Sequence, residues 1–198
     1  MLLVVTAIAL LITVPLAGGR LARLADIRVR ATWAVLLAVA IQVGISDVAP
    51  GGSHWVHVAL NIASYTLDAC FLFANRRLAG ASIIALGAAL NVLAITSNGG
   101  VMPASASALR IAGIAPRAGF DNSAHLAHAH LAFLGDVIPV PGPWPIGNVL
   151  SVGDLTIFVG ALILLHVACD SRRFRRRRPR TTQGARISPD ARRSTAGI

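Results

Sequence analysis

Long apolar runs separated by short polar turns dominate the first 170 residues of the chain. A bilayer core of about 30 Å is crossed by roughly 17–25 mostly apolar helical residues. Five runs reach or approach that length, and they cover residues 1–17, 31–48, 55–74, 78–97 and 150–169. The pattern therefore predicts an all-α fold, an integral membrane bundle of about five transmembrane helices.

Composition separates the chain into an apolar body and a basic tail. Of the 198 residues 55% are apolar, whereas soluble proteins reach about 45–50% on a more inclusive count. The net charge of +10 is uneven, because residues 171–198 hold ten Arg and one Asp while residues 1–170 hold eight Arg and seven Asp. This composition argues against a soluble enzyme, a disulfide scaffold and a disordered chain. We expect a membrane domain over residues 1–170 and a disordered, Arg-rich cytoplasmic tail over residues 171–198.

The positions of the Arg residues predict how the chain is oriented. Short loops that stay in the cytoplasm are enriched in Lys and Arg. With five spans, the loop after the first span, the turn after the third span and the tail lie on one side, and together they contain 16 of the 18 Arg. We therefore predict a multi-pass protein of the cell membrane with its N-terminus outside and its C-terminus in the cytoplasm.

Residues 98–149 form a long segment on the predicted outer side. Connections of about fifty residues are usually either functional or disordered. This one is apolar and punctuated by Gly and Pro, which indicates a structured, Gly/Pro-rich extracytoplasmic segment with a short helix over residues 105–112. It opens with NGGVMP at residues 98–103, continues to LGDVIPVP at residues 134–141, and leads through NVLSVGD at residues 148–154 into the last span.

These three motifs, in this order and between these spans, resemble an uncharacterised family of small bacterial multi-spanning membrane proteins, a domain of unknown function. The resemblance covers roughly residues 1–170. It implies a membrane location and a shared feature on the outer side, and it carries no activity. The shared positions are Asn98, Gly99, Gly100, Met102, Pro103, Gly135, Asp136, Pro139, Asn148, Ser151, Gly153 and Asp154.

Two interpretations of the motifs are open. In the first, they only fold the outer segment back over the helices, because Gly, Pro, Asn and Asp are ordinary turn residues and Ser151 or Asp154 can cap the last helix. In the second, Asn98, Asp136, Asn148 and Asp154 converge on a pocket at the outer mouth of the bundle. The shared positions other than Gly135 and Gly153 would then form a site for a lipid, a small solute or a partner protein.

The third span carries an unusual number of polar residues. His57, Asn61, Tyr65 and Asp68 recur at helical spacing and form one stripe, which should face protein rather than lipid. If the third and fourth spans form a hairpin, equal depth places Asn61 beside Asn91, and contact between the two amides would join these helices. We expect Asn61, Tyr65, Asp68 and Asn91 to be polar groups inside the membrane.

Asp68 is the residue of this stripe that needs a partner most, because a carboxylate in the bilayer is costly unless it is protonated or paired. The nearest ionisable side chain by depth is His166 in the fifth span, and a proton-linked role requires that pair. The alternative is a neutral, hydrogen-bonded Asp68, or one that reaches Arg76 or Arg77 at the inner interface.

Asp121, His125 and His128 have the spacing of one helix face and are weak candidates for a divalent transition-metal site. The spacing matches no zinc-protease motif, so the alternative is a surface segment that binds no metal. We expect no metal and no cofactor.

The partners that the sequence predicts are lipids. The chain is expected to lie in a lipid bilayer, and the Arg cluster directly after the fifth span suits contact with anionic lipid head groups. No nucleic-acid partner is expected, and no sequence feature identifies a protein partner.

Three functions fit these features. The first is a non-enzymatic integral membrane protein whose outer segment binds a lipid, a small solute or a partner. The second is a small transporter or channel that uses the polar residues of the third span. The third is a membrane-embedded hydrolase or metal enzyme built around Asp136, Asp154 and the His residues. The sequence contains no nucleophile elbow and no phosphate-binding loop, so enzymatic activity stays an open question.

Overall fold

The structure is a computed structural model, and it describes residues 2–45, 53–114, 123–124, 128–142 and 147–171. Five apolar helices form the body of the protein, and each coincides with one of the five apolar runs of the sequence. They are α1 (Leu2–Leu16), α2 (Thr32–Val43), α3 (His54–Ala74), α4 (Ala81–Ser97) and α6 (Val152–Ala168).

The five helices differ in length. Within the described residues, α3 is the helix that is long and apolar enough to cross a membrane, over Trp55–Ala74. The apolar parts of the other four are shorter, at 10–17 residues each. The structure therefore shows a mostly helical body with one helix of full membrane-spanning length.

The central pair of the body is formed by α4 and α6, which run antiparallel. Gly80 lies against Gly160, and Gly87 lies against Gly153. A Cβ added to Gly87 would lie only 2.5 Å from the carbonyl oxygen of Gly153, and one added to Gly80 would overlap the carbonyl oxygen of Gly160. Because these glycines recur every seven residues on both helices, they form one stripe along which the two backbones touch.

A second antiparallel pair, the α2–α3 hairpin, consists of α2 and α3. Ala34 and Ala38 are buried on α2, and Asn75 joins the C-terminal end of α3 to the N-terminal end of α2. The Nδ2 of Asn75 donates to the carbonyl oxygen of Arg30 at 2.8 Å, and its Oδ1 accepts the backbone N–H of Arg30 at 2.9 Å. Because α3 packs more extensively on α2 than on α4, its main neighbour is the second span rather than the fourth span assumed for the hairpin.

The described residues between α4 and α6 are 98–114, 123–124, 128–142 and 147–151, and we call them the cap. The cap contains short strands as well as helix. β1 (Met102–Pro103) pairs in parallel with β2 (Ser123–Ala124), and β3 (Asp136–Val140) pairs antiparallel with β4 (Asn148–Ser151). The short helix α5 (Ala106–Ala112) confirms the helix predicted there. The strands correct the all-α expectation, because β-branched residues and prolines in β3 favour extended backbone over helix.

Candidate functional site

The first motif ends α4 and ties it to the cap. Asn98 follows the last helical residue, and its side-chain amide binds the backbone of His130 in two places. The Oδ1 of Asn98 accepts the N–H of His130 at 2.8 Å, and its Nδ2 donates to the carbonyl oxygen of His130 at 2.7 Å. Gly99 and Gly100 then turn the chain with φ of 69° and 94°, a conformation that glycine adopts without strain.

The second motif packs on the first. Met102 and Leu134 are buried together with Ala94 of α4 and form a small core beneath the cap. Gly135 lies directly against Pro103, and a Cβ at residue 135 would overlap the carbonyl oxygen of Pro103. A glycine is therefore required where the two motifs meet, because any side chain would push them apart.

The third motif begins α6 with a capping box. The Oγ of Ser151 accepts the backbone N–H of Asp154 at 2.9 Å, and the Oδ2 of Asp154 accepts the N–H of Ser151 at 2.9 Å. Both residues therefore act in the helix cap that the sequence predicts, in the reciprocal form that satisfies two otherwise unpaired backbone donors.

Asn91 of α4 binds both residues of this capping box. We call the side chains of Asn91, Ser151 and Asp154 the Asn91–Ser151–Asp154 network. The Nδ2 of Asn91 donates to the Oδ1 of Asp154 at 2.8 Å, and its Oδ1 accepts the hydroxyl of Ser151 at 2.8 Å. Gly153 leaves the space for the Asn91 side chain, because a Cβ at residue 153 would overlap its Oδ1. The network fastens the end of α4 to the start of α6.

Most of the predicted site residues thus hold the cap together. The polar atoms of Asn98, Ser151 and Asp154 bind the groups described above, and the Oδ1 of Asn148 accepts the N–H of Val149 at 2.9 Å. Asp136 is buried in β3, where it pairs with Ser151 in the strand register, and Pro139 pairs with Val149. These contacts agree with the interpretation in which the motifs fold the outer segment.

A groove of about 350 Å³ lies in the cap beside the motifs. Its walls come from the chain between β1 and α5, from the residues before and within the 3₁₀ helix Ala132–Leu134, and from β3. Of the predicted binding residues, Pro103 is in the lining. The lining residues are Pro103, Ala104, Ser105, Ala106, Ala129, Ala132, Phe133 and Val137.

The described lining of the groove is mostly apolar. Among the residues that the structure describes, the lining has no ionisable side chain, and Ser105 supplies its one hydroxyl, which lies 2.8 Å from the hydroxyl of Ser107. Phe133 is 66% exposed and leaves an aromatic ring on the surface beside the groove. A ligand here would gain free energy mainly by removing apolar surface from water.

Sequence reasoning missed most of the groove. Its lining is rich in alanine, which carries no polar signal and occurs throughout the chain. One signal in the sequence points to the groove. The motifs at residues 98–103 and 134–141 supply Pro103 and Val137 to its walls, so packing of these two motifs against each other predicts a groove between them.

The polar stripe of α3 meets α2 rather than α4. The Nε2 of Gln42 donates to the Oδ1 of Asn61 at 3.0 Å and to the Oγ of Ser64 at 2.7 Å, and Tyr65 is hydrogen-bonded to the same Gln42. Asn61 therefore contacts Gln42, while Asn91 contacts α6. The predicted contact between Asn61 and Asn91 is wrong, because each amide belongs to a different helix pair.

Asp68 lies further along the stripe and is half-buried. His166 packs against α1 instead, with its Nε2 3.1 Å from the Oγ1 of Thr13 and its Nδ1 2.8 Å from the Oγ of Ser171. The pair of Asp68 and His166 that a proton-linked role requires is therefore not formed. The depth estimate placed both residues near the inner end but could not tell which helices are neighbours.

The weak metal-ligand candidates Asp121 and His125 lie outside the described residues, and so does the tail after residue 171, while His128 is exposed. In the part of the chain that the structure describes, no three His, Cys, Asp or Glu side chains are grouped closely enough to hold a metal ion. The structure leaves the predictions for the His residues and the tail untested.

The structure defines a class of small, mostly helical proteins. In this class a Gly/Pro-rich connection, the cap, folds over the pair formed by α4 and α6. Residues 26–166 match a family of unknown function, DUF5317, and the chain belongs to this family. The match includes α2, α3, α4, the cap and most of α6. The predicted resemblance to a family of unknown function is confirmed.

A relative of this chain is an uncharacterized protein of Thermotoga maritima. It is 31% identical over 109 residues, which cover 55% of this chain and 63% of the relative. The chain therefore spans less than two thirds of that relative's length. No solved structure matches the chain.

Proposed function

We propose that this chain is a non-enzymatic integral membrane protein with five membrane helices, and that its cap lies outside the cell membrane and binds an apolar chain in the groove. The proposal has two parts, the membrane placement and the ligand. Different observations support each of them.

The distribution of apolar side chains supports the membrane placement. The buried apolar residues of α2 and α4 are largely alanines, whereas large side chains such as Leu36 and Trp55 are 68% and 77% exposed. Membrane helices pack through small residues and turn large apolar side chains to lipid, whereas a soluble protein rarely exposes such a surface. In addition, only 17% of the Trp55–Ala74 stretch is buried, unlike the core helix of a soluble protein.

The direction of the helices supports the orientation. The loop before α2 and the turn before α4 carry six exposed Arg, whereas the cap follows α4 and precedes α6. The cap and the six Arg therefore lie at opposite ends of the helices. Because basic loops stay in the cytoplasm, we place the cap outside.

The groove is the observation that carries the ligand proposal. Its volume of about 350 Å³ falls at the lower end of the range of ligand pockets, roughly 300–1,000 Å³. Because the described residues of its lining have no ionisable side chain and the cap rests on the outer ends of α4 and α6, acyl chains at the membrane surface are the matching ligand class. A fatty acyl chain is the occupant that we propose.

Filling the groove tests this function. The full-length protein in detergent is exposed to a photoreactive fatty acid, and adducts are located by peptide mass spectrometry. We expect adducts on the lining residues, and we expect Ala106→Trp to lower their yield about fivefold, because the indole occupies the groove at a cost to ligand binding of about 1 kcal/mol.

Ile111→Trp is the matched control. Ile111 lies on the same helix, α5, and is 56% exposed, but it is not in the lining, so adduct yield should stay within about twofold of the parent protein, or about 0.4 kcal/mol. Adducts spread evenly over the exposed apolar surface, or an equal loss in both variants, would contradict acyl-chain binding in the groove.

The other two functions have less support. A transport pathway along α3 would need its polar stripe to face water, whereas Asn61 and Ser64 are buried against Gln42. An enzyme would need the carboxylate of Asp136 or Asp154 beside the His residues. Both carboxylate oxygens of Asp154 instead accept hydrogen bonds at the start of α6, from Asn91 and from the backbone of Ser151.

A further inference from the structure

Four arginines lie within two residues of the contact between Arg30 and Asn75 at the inner end of the α2–α3 hairpin. They are called the inner Arg quartet, and they are Arg28, Arg30, Arg76 and Arg77, all exposed. The side chain of Asn75 binds both backbone groups of Arg30, at 2.8 and 2.9 Å, and Asn75 directly precedes Arg76. This clamp joins the two chain segments that carry the pairs of Arg, although the pairs are at least 46 residues apart in the chain.

The quartet lacks carboxylate partners within the described residues. Arg23 provides the contrast, because its Nη1 lies 3.0 Å from the Oδ2 of Asp170, whereas no ion pair joins any member of the quartet to an acid in the described ranges. The Nη1 of Arg76 donates to the carbonyl oxygen of Phe73 at 3.1 Å. Guanidinium donors that bind no carboxylate or backbone oxygen stay available for phosphate oxygens.

An exposed aromatic ring lies beside these charges. Phe73 is 68% exposed, and the guanidinium carbon of Arg76 lies 4.3 Å from the centre of its ring. A phospholipid presents a phosphate next to apolar chains, so a surface that combines guanidinium groups with an exposed ring suits a lipid better than a free phosphate ion. The positive end of α2, which has no acidic residue in its first turn, adds to the same potential.

We propose that the inner Arg quartet binds the phosphate of an anionic phospholipid at the inner membrane surface. The proposal rests on the membrane placement given above and adds a site and a lipid class to it. The quartet also fits the enrichment of Arg in cytoplasmic loops, but that enrichment requires only positive charge. A lipid site requires these four side chains in this arrangement.

Native mass spectrometry of the full-length protein in neutral detergent tests the site, with phosphatidylglycerol as the anionic probe and phosphatidylcholine as the neutral one. We expect the parent protein to retain phosphatidylglycerol in preference to phosphatidylcholine. Replacing all four members of the quartet with Gln should weaken phosphatidylglycerol binding about tenfold. Inorganic phosphate at millimolar concentration should not displace the lipid.

A second quadruple variant separates the site from general attraction between charges. Gln in place of Arg175, Arg176, Arg177 and Arg178 removes four charges from the tail cluster, whose contact with anionic head groups depends on charge alone, so it should weaken phosphatidylglycerol binding only about twofold, against about tenfold in the quartet variant. An equal loss in the two variants, or no loss in the quartet variant, would overturn the proposal, and so would displacement by inorganic phosphate.

A conservative variant keeps the test decisive if the Gln variant does not fold. Lys at all four positions of the quartet retains the charge but cannot make the forked contact, so we expect binding to weaken about threefold. Unchanged binding in the Lys variant would also overturn the proposal. Failure of the membrane placement shows separately, as recovery of the protein in the soluble fraction without detergent.

Discussion

Replacing Gly153 with Ala is expected to lower the free energy of unfolding by about 2–4 kcal/mol. The new Cβ would overlap the Oδ1 of Asn91 and would lie 2.7 Å from the carbonyl oxygen of Gly87. Both α4 and the Asn91 side chain must therefore move, which combines the cost of overpacking with the loss of hydrogen bonds in the Asn91–Ser151–Asp154 network. Unfolding of the full-length protein in mild detergent, followed by circular dichroism, measures the change.

Gly44→Ala is the matched control for this substitution. Gly44 follows the last residue of α2 with a helical φ of −58°, and an added Cβ meets no atom of the described residues within 4 Å. We expect a change within about 0.5 kcal/mol, as for a surface substitution. If Gly153→Ala were equally harmless, the close contact between α4 and α6 would be wrong.

A double-mutant cycle between Asn91→Ala and Asp154→Ala is expected to give a coupling free energy of about 1–2 kcal/mol. The amide of Asn91 donates to the Asp154 carboxylate at 2.8 Å, and hydrogen bonds to charged groups contribute more than neutral ones. The same unfolding measurement on the parent, the two single variants and the double variant gives the coupling.

The control is a second double-mutant cycle, between Asn61→Ala and Asp154→Ala, because Asn61 is the other amide that the sequence predicts to lie inside the membrane. Asn61 bonds to Gln42 of α2, so its coupling to Asp154 should stay within about 0.5 kcal/mol of zero. A larger coupling for Asn61 than for Asn91 would show that the helices are paired differently.

The apolar runs were enough to locate the five body helices, because a run of that length and composition has few alternatives to helix. They did not show which helices are neighbours. The depth argument assumed that consecutive spans pair across the short turn at Asn75–Gly80, and this led to the wrong partner for Asn91. A better signal is present in the sequence, since the glycines of α4 and α6 share a seven-residue spacing.

The cap was predictable in part. The helix over residues 106–112 and the capping of α6 by Ser151 and Asp154 follow from local residue preferences, which a sequence displays directly. The strands depend on pairing between segments distant in the chain, as where Asp136 lies opposite Ser151. The groove depends on the same tertiary contacts, and its small apolar lining residues carry no chemical signature.

The central claim is a membrane body with the cap outside, and cysteine accessibility in intact cells tests it most directly. In a background with Cys70→Ala and Cys169→Ala, Ser107→Cys places a thiol on the exposed face of the cap, and Ala79→Cys places one in the turn between α3 and α4. We predict that a membrane-impermeant maleimide labels the Ser107→Cys protein in intact cells and the Ala79→Cys protein only after permeabilisation. The reverse order, equal labelling of both in intact cells, or recovery of the protein in the soluble fraction would contradict the account.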